Sequence, residues 1–259
     1  MGILRIEVNG GPATVDQLAH QAIVNYGHLT AMQVRDGAVR GLGLHLSRLD
    51  SATRELFGSG LDGELVRAHV RHALGAGIGD ASVRISVFQP DGDERPSIMV
   101  VVRPPSDAAV APQRLTAVPY ERPVAHIKHV GMFGQIYYGL AAERAGFDDA
   151  LLTGPGGIIA EGAITNIGFF DGDAVLWPSA PLLAGITMQL VIEALAERGV
   201  PSRHDRVRIA DLHSFRSAFV TNSLGVAPVG QVDDQILATD AEFTQGLTEA
   251  YESVPWDPI

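Results

Sequence analysis

The first hundred residues alternate between apolar runs typical of strands and apolar residues at helical spacing. Two of the runs flank Asp36-Gly37, a dipeptide that supplies the positive φ angles of a two-residue hairpin turn. Farther on, apolar side chains recur every three or four residues up to Gly58, which can end a helix. The predicted elements are strands over 29–34, 38–42, 82–88 and 97–103 and helices over 44–57 and 61–74.

The pattern changes between residues 104 and 123, where the periodicity is lost and Pro, Ala and Ser accumulate. We therefore predict an α/β (α+β) protein of two domains, residues 1–108 and 124–259, joined by a linker over 109–123. In the second domain we predict helices over 134–145, 187–198 and 241–251 and strands over 151–152, 158–159, 164–170, 174–177 and 218–221.

Composition narrows the function classes. The 259 residues are 46% apolar and carry 30 acidic against 19 basic side chains, a formal net charge of −11, so we expect no nucleic-acid partner. There is no cysteine, which excludes disulfides, a thiol nucleophile and thiolate metal sites. The sequence shows neither a secretory signal nor an apolar stretch of about 18 residues. We predict a cytoplasmic protein without a membrane partner.

Three motifs that resemble functional sites do not meet the requirements of those sites. The glycines of residues 75–79 have the wrong spacing for a dinucleotide fingerprint. His126 and His129 are separated by two residues, without a carboxylate cluster or third histidine nearby in sequence, so we predict no metal site. Residues 154–157 are glycine-rich but no lysine follows them, which favours a hairpin turn over a phosphate loop.

Lysine is unusually rare. Of the 19 basic residues, 18 are arginine, and Lys128 is the one lysine. It lies among apolar residues directly after the predicted linker, where a strand could carry it into a cleft between domains. Composition leaves two interpretations open: Lys128 is a reagent amine, or it is what remains after codon usage has favoured arginine.

Several short motifs, in a fixed order along some 200 residues, point to a known family. They are Val34-Arg35-Asp36-Gly37, His45-Leu46-Ser47-Arg48-Leu49, Ile127-Lys128, Gly146-Phe147-Asp148-Asp149-Ala150-Leu151-Leu152, Glu161-Gly162-Ala163-Ile164-Thr165-Asn166-Ile167, Leu183-Ala184-Gly185-Ile186-Thr187, Thr221-Asn222-Ser223 and Ala227-Pro228-Val229. In these motifs the chain resembles the class IV aminotransferases, the fold type IV pyridoxal phosphate enzymes. That family includes branched-chain and D-amino-acid aminotransferases, (R)-selective amine transaminases and aminodeoxychorismate lyase. The resemblance implies the two-domain fold of these enzymes, with the cofactor site at the domain junction.

The resemblance assigns chemistry to particular residues. Lys128 would form the Schiff base with pyridoxal 5′-phosphate and then move the proton between the substrate Cα and the cofactor C4′. Such a lysine must be neutral, so its pKa must lie below the free value of about 10.4. Glu161 would keep the proton on the pyridine nitrogen, although a glutamate beside a glycine could also be a solvated turn residue.

The cofactor phosphate needs a local positive environment in this acidic chain. The resemblance assigns it to the guanidinium of Arg48 and to the start of the helix at Gly185, Ile186 and Thr187, where free amides and the helix dipole favour an anion. A second loop, Asn222-Ser223, and Asn166 of the glutamate motif complete the implied cofactor set. A glycine before a helix can equally be a simple cap, and most arginines face water.

The substrate side is less well defined. Tyr26, His28 and Thr30 occupy the loop and strand that carry substrate-side residues in relatives, and Arg84 either meets a substrate carboxylate or is a solvated strand residue. Phe133 stands five residues after the lysine, where branched-chain enzymes usually have a tyrosine, and this argues against a strict branched-chain role. No role is assigned to His129.

We therefore expect an aminotransferase that moves an amino group from a small amino donor to a 2-oxo acid, in a homodimer. A second possibility within the family is aminodeoxychorismate lyase, which eliminates pyruvate. A third, from another class, is a non-catalytic binding or structural domain. Product analysis separates the first two, and a cofactor spectrum separates both from the third.

Overall fold

The computed structural model describes residues 2–259 and divides the chain into two compact units. Unit 1 contains the residues up to Ser106 together with Ile127–Gly131 and Pro255–Ile259, and unit 2 contains Asp107–His126 and Met132–Val254. The mixed α/β class predicted from the sequence is confirmed. Within residues 2–259, no helix is both long and apolar enough to span a bilayer.

Unit 1 contains a five-stranded antiparallel sheet in the order β2-β1-β6-β5-β3. Its strands are β1 (Arg5–Val8), β2 (Gly11–Pro12), β3 (His28–Val34), β5 (Ala81–Phe88) and β6 (Ser97–Arg103), and its helices are α1 (Val15–Ile23), α2 (Leu42–Phe57) and α3 (Gly63–Leu74). A short pair, β4 (Ala38–Arg40) with β16 (Trp256–Pro258), completes the unit. Both Asp36 and Gly37 have positive φ, as the predicted hairpin turn requires.

The core of unit 1 follows from the period-two pattern of its central strand. Val83, Ile85 and Val87 are fully buried and lie on one face of β5, in a cluster with Leu49 of α2 and Val70 of α3. Helix α2 ends at Gly58, whose φ of 73° is the left-handed value that glycine adopts without strain. The apolar residues of α2, such as Leu49, determine which face of the helix packs on the sheet.

Unit 2 contains a nine-stranded sheet in the order β12-β11-β10-β13-β14-β7-β8-β9, with β15 paired to β14. Its strands are β7 (Gln113–Pro119), β8 (Asp149–Gly154), β9 (Ile158–Gly162), β10 (Asn166–Phe170), β11 (Val175–Pro178), β12 (Ser202–Asp205), β13 (Ser217–Asn222), β14 (Gly225–Val232) and β15 (Gln235–Ile236). Its α-helices are α4 (Phe133–Arg144), α5 (Ile186–Glu197) and α6 (Ala241–Glu252). One cluster contains Ile167 and Val229, and another contains Trp177, Val191 and Phe243.

The structure differs from the sequence prediction over the expected linker, 109–123. Residues 113–119 form β7, which lies between β14 and β8 and pairs with both in parallel. Leu115 of this strand is part of the apolar core. The hydrogen bonds that make β7 a strand come from residues distant in sequence, so local composition does not indicate them. Helix α1, which buries no residue, was also not predicted.

Candidate functional site

Lys128 lies in unit 1, on a segment that is hydrogen-bonded alongside the start of β3. The carbonyl oxygen of Lys128 accepts a hydrogen bond from the Leu29 amide at 2.8 Å, and the Val130 amide donates to the Gly27 oxygen at 2.9 Å. These contacts form an isolated bridge rather than the strand expected from the sequence. Ile127 and Val130, on either side, are buried, and Lys128 itself is half-buried.

Arg48 projects from α2 toward β3 and donates from Nη2 to Thr30 Oγ1. Its Nε atom is buried without a hydrogen-bond partner, and within residues 2–259 no carboxylate pairs with its guanidinium. Burial lowers the pKa of Arg48 to about 10, so the group remains charged at neutral pH. Arg48 is half-buried, and a positive charge with a buried, unused donor is suited to an anion.

Two buried histidines, His28 and His45, lie near Arg48. His45 Nδ1 lies 2.6 Å from Thr30 Oγ1, and His28 Nε2 lies 2.9 Å from Thr53 Oγ1. Burial, followed by the charge of Arg48, lowers the pKa of His28 to about 4. Burial, Arg48 and then Lys128 lower the pKa of His45 well below its ordinary value. Both imidazoles are therefore neutral at physiological pH.

In unit 2, Glu161 is held by an ion pair that the sequence did not predict. It is 5% exposed, which does not agree with a solvated turn residue. Glu161 Oε1 lies 2.9 Å from Arg122 Nη1, and Oε2 accepts from the Leu183 amide at 3.2 Å. Arg122 Nη1 also donates to the Ala125 oxygen at 3.1 Å. A cation beside a buried carboxylate is expected in general, but no spacing in the sequence identifies Arg122 as that cation.

The start of α5 connects most of the remaining residues predicted to bind the cofactor. Gly185 is its N-cap, and no side chain caps this end of the helix. A Cβ atom at Gly185 would lie 2.0 Å from Asn166 Oδ1, so any other residue there would displace the Asn166 side chain. Asn166 Nδ2 donates to the Leu183 oxygen at 2.7 Å, and Thr187 Oγ1 donates to the Asn222 oxygen at 2.6 Å.

Unit 2 therefore brings together the glutamate, the uncapped helix start and the β13–β14 loop. Leu183 links them, since its amide contacts Glu161 and its carbonyl contacts Asn166. Ser223 lies in the loop after Asn222, where the Asn222 Oδ1 atom accepts from the Leu224 amide at 2.8 Å. Backbone N–H groups at an uncapped helix start, next to small polar side chains, can bind an anion.

The residues predicted on the substrate side have varied environments. His28 and Thr30 are buried among the contacts described above. Tyr26 is exposed and its ring packs edge-on against Phe57 at 5.9 Å. Arg84 is half-buried; its Nε donates to Ser86 Oγ at 3.3 Å, and burial and Arg103 lower its pKa.

Phe133 begins α4 and is exposed. Part of α4 borders a cavity of about 350 Å³ in unit 2, whose lining includes Gln135, Leu140 and Asp149. In the part of the chain that the structure describes, no three His, Asp or Glu side chains are placed to hold a metal ion.

The chain matches the family model described as amino-transferase class IV over residues 27–232. A curated relative, a probable branched-chain-amino-acid aminotransferase of Rickettsia conorii, is 34% identical over 119 residues, which cover 44% of this chain and 41% of that protein. The matching stretch thus spans about two fifths of the relative's length. A putative branched-chain-amino-acid aminotransferase of Methanocaldococcus jannaschii is 24% identical over 263 residues, covering 93% of this chain and 91% of that protein.

Solved structures resemble the whole chain. The branched-chain amino acid aminotransferase of Escherichia coli has a TM-score of 0.85 at 18% identity, covering 98% of this chain and 95% of that chain. The branched-chain aminotransferase of Thermoproteus uzoniensis, solved with norvaline, has a TM-score of 0.84 at 19% identity, covering 97% and 94%. At these identities the likeness shows a shared fold.

Proposed function

Because the chain belongs to the class IV aminotransferase family, we propose that it is an aminotransferase that binds pyridoxal 5′-phosphate, the cofactor of that family. When bound, this cofactor supplies an aldehyde that takes up the amino group and a ring that accepts the electron pair left by the substrate proton. The substrates are a small amino donor and a 2-oxo acid. The residues that would hold the cofactor are those whose charge and hydrogen-bonding groups suit its phosphate, its aldehyde and its ring nitrogen.

The observation that carries the proposal is the unneutralised charge of Arg48. Its Nε donor is buried without a partner, and no carboxylate within residues 2–259 pairs with it. A phosphate dianion satisfies both the charge and the donor. The uncapped start of α5 at Gly185 and Thr187, beside Asn222, offers a second set of donors of the kind that phosphate prefers.

Two further residues would act on the reacting part of the cofactor. Lys128 carries the primary amine that would attach to the aldehyde carbon with loss of water; once displaced by the substrate amine, it would be free to move the substrate proton. Glu161 would accept a hydrogen bond from the pyridine nitrogen and keep it protonated. Arg122 and the Leu183 amide hold the two Glu161 oxygens in place, so the carboxylate is oriented before any ligand arrives.

The binding proposal is tested by spectroscopy and covalent trapping. We expect the purified chain, mixed with pyridoxal phosphate and then separated from unbound cofactor by gel filtration, to keep a near-ultraviolet or visible band, and borohydride to fix the cofactor on Lys128. Since the chain has no other lysine, peptide mass spectrometry can assign the modification directly. The Lys128→Met variant should lose both signals while its circular dichroism stays native. A parent protein without such a band would contradict the proposal and favour a non-catalytic domain.

The substrate is proposed at the level of class. The names of the relatives make branched-chain amino acids the first donors to test, whereas Phe133 keeps the elimination of pyruvate from aminodeoxychorismate as a second candidate. Spectra recorded with L-amino acids, D-amino acids, (R)-amines and aminodeoxychorismate in turn would identify the donor. Pyruvate formed without a new amino acid would identify the lyase.

We also propose a homodimer. Four side chains of α4, at positions i, i+3, i+4 and i+7, are large, mainly apolar and exposed: Phe133, Ile136, Tyr137 and Leu140. Another side of the same helix packs on β8, with Ala142 and Ala150 in one cluster. An exposed apolar stripe on a helix is normally covered by another surface, and a second copy presents the same stripe.

A further inference from the structure

Three polar side chains meet between β3 and α2, inside unit 1. Thr30 comes from β3, and His45 and Arg48 come from successive turns of α2. Thr30 is fully buried and His45 is 4% exposed. The Thr30 hydroxyl is the centre of the group, because it contacts both Arg48 Nη2 and His45 Nδ1.

The donors and acceptors in this group can be assigned from their chemistry. A guanidinium only donates, so the Thr30 oxygen accepts from Arg48. Thr30 Oγ1 makes its two hydrogen bonds with Arg48 and His45, so we assign its single hydroxyl proton to the contact with His45, whose Nδ1 then accepts it. His45 is therefore a neutral imidazole with its proton on Nε2. The lowered pKa of His45, caused by burial and the nearby positive charges, agrees with this assignment.

This arrangement orients a cation without neutralising it. A carboxylate partner would also fix Arg48, but it would cancel the charge that an anionic ligand needs. A hydroxyl that is itself held by a neutral imidazole fixes one nitrogen of the guanidinium and adds no negative charge. The buried Nε atom of Arg48 remains available.

We propose that Thr30 and His45 are positioning residues that orient Arg48 toward the phosphate group of a bound ligand. The ligand identity rests on the proposed function, whereas the positioning of Arg48 for a phosphate does not. A merely structural role for the two residues would stabilise unit 1 and leave the recognition of phosphate unchanged. The two roles predict different results when the same protein binds ligands with and without a phosphate.

The test compares the dissociation constants of pyridoxal 5′-phosphate and pyridoxal in each variant. Pyridoxal lacks the phosphate and also forms an internal hemiacetal, but the hemiacetal is the same for every variant and cancels when their preferences are compared. In Thr30→Val and His45→Leu we expect the preference for the phosphorylated form to fall about tenfold, the effect of losing one hydrogen bond to a charged group. Thr30→Ser, which keeps the hydroxyl, should restore it. In an Arg48→Gln background, Thr30→Val should have no further effect. An unchanged preference in Thr30→Val and His45→Leu would overturn the proposal.

Two further measurements keep the proposal testable if a variant does not fold or if the cofactor does not bind. Nitrogen NMR of the parent should show His45 with its proton on Nε2, and a proton on Nδ1 would overturn the proposal. If the parent binds neither pyridoxal compound, the proposed function fails, but inorganic phosphate still tests the positioning. A dissociation constant for phosphate that rises about tenfold in Thr30→Val supports it, and an unchanged constant overturns it.

Discussion

Arg122 and Glu161 form an ion pair almost completely withdrawn from water, with side-chain exposures of 3% and 6%. Removing one partner leaves a buried charge uncompensated, which costs more than the pair itself contributes. We expect Arg122→Met to lower the free energy of unfolding by about 3 kcal/mol, measured by denaturant titration.

The exposed pair Arg198–Glu249, with side-chain exposures of 39% and 52%, provides a matched control for that measurement. Solvent screens this pair, so we expect Arg198→Met to change the free energy of unfolding much less than Arg122→Met does. Equal effects of the two substitutions would contradict the importance that we give to burial.

His28 makes the stability of unit 1 sensitive to acid. Its pKa is about 4 in the folded chain, through burial and Arg48, against 6.5 in the unfolded chain. Between these values the unfolded chain binds a proton that the folded chain does not. The contribution of His28 to the free energy of unfolding is therefore fully present above pH 6.5. It is lost as the pH falls toward 4, by up to about 3 kcal/mol.

We expect His28→Gln to flatten this dependence between pH 6.5 and 4, leaving the similar contribution of His45. The measurement is the free energy of unfolding at several pH values. His213→Gln, at an exposed position, is the control. A pH dependence that is the same in His28→Gln and in the parent would show that His28 is not its source.

At the residue scale, the short motifs named several residues that the structure brings close together. Asn166, Gly185, Thr187 and Asn222 are connected in the structure as neighbouring members of the predicted cofactor set. Arg122 could not be found in this way, because its contact with Glu161 joins positions 39 residues apart. Such a contact depends on which strands become neighbours.

At the scale of elements, α2 begins without a side-chain cap of its own. Its N-cap, Gly41, has a left-handed backbone, and the Leu42 amide donates instead to Asp257 Oδ2 at 2.8 Å. Asp257 belongs to β16, far along the chain. A carboxylate at this end of a helix satisfies a free amide and interacts favourably with the helix dipole.

We expect Asp257→Ala to destabilise unit 1 by about 1 kcal/mol, because α2 then loses its cap. Asp257→Asn retains an oxygen acceptor and should lose less. The measurement is hydrogen exchange of the first-turn amides of α2, which should accelerate in the alanine variant. Unchanged exchange at Leu42 would contradict this capping role.

Elements with a strong local period were predicted closely. Helix α2 extends over Leu42–Phe57 and α5 over Ile186–Glu197, within two residues of the predicted bounds. Their apolar spacing and terminal glycines are contained in the segment itself. Strand β7 shows the opposite case: it is a strand because β14 and β8 lie beside it, and its own residues carry a weak signal.

At the scale of the whole molecule, the exposed stripe on α4 predicts how the chain assembles. We expect the parent to sediment as a dimer and Leu140→Glu to sediment as a monomer, because a buried charge would disrupt the contact. Leu65→Glu on α3 is a matched control, since Leu65 is 45% exposed and Leu140 is 46% exposed. A dimer that persists in Leu140→Glu would place the interface elsewhere.

The division into two parts was predicted, but the boundaries differ. The sequence suggested one crossing between domains near 109–123, whereas the chain returns to unit 1 at Ile127–Gly131 and again at Pro255–Ile259. Composition indicates where along the chain the strand and helix periodicity is lost. It does not show that a short segment, such as the one with Lys128, packs on a strand formed about a hundred residues earlier.

The return of β16 to unit 1 sets an order of events during synthesis on the ribosome. Residues 255–259 are translated after all of unit 2, so the growing chain makes α2 long before Asp257 exists to cap it. At about 5–20 residues per second, the roughly 200 residues between the end of α2 and Asp257 take about 10 to 40 seconds to synthesise, and the helix that carries Arg48 is without its cap for that time. All of unit 2 is thus synthesised before α2 can gain the hydrogen bond at its first turn.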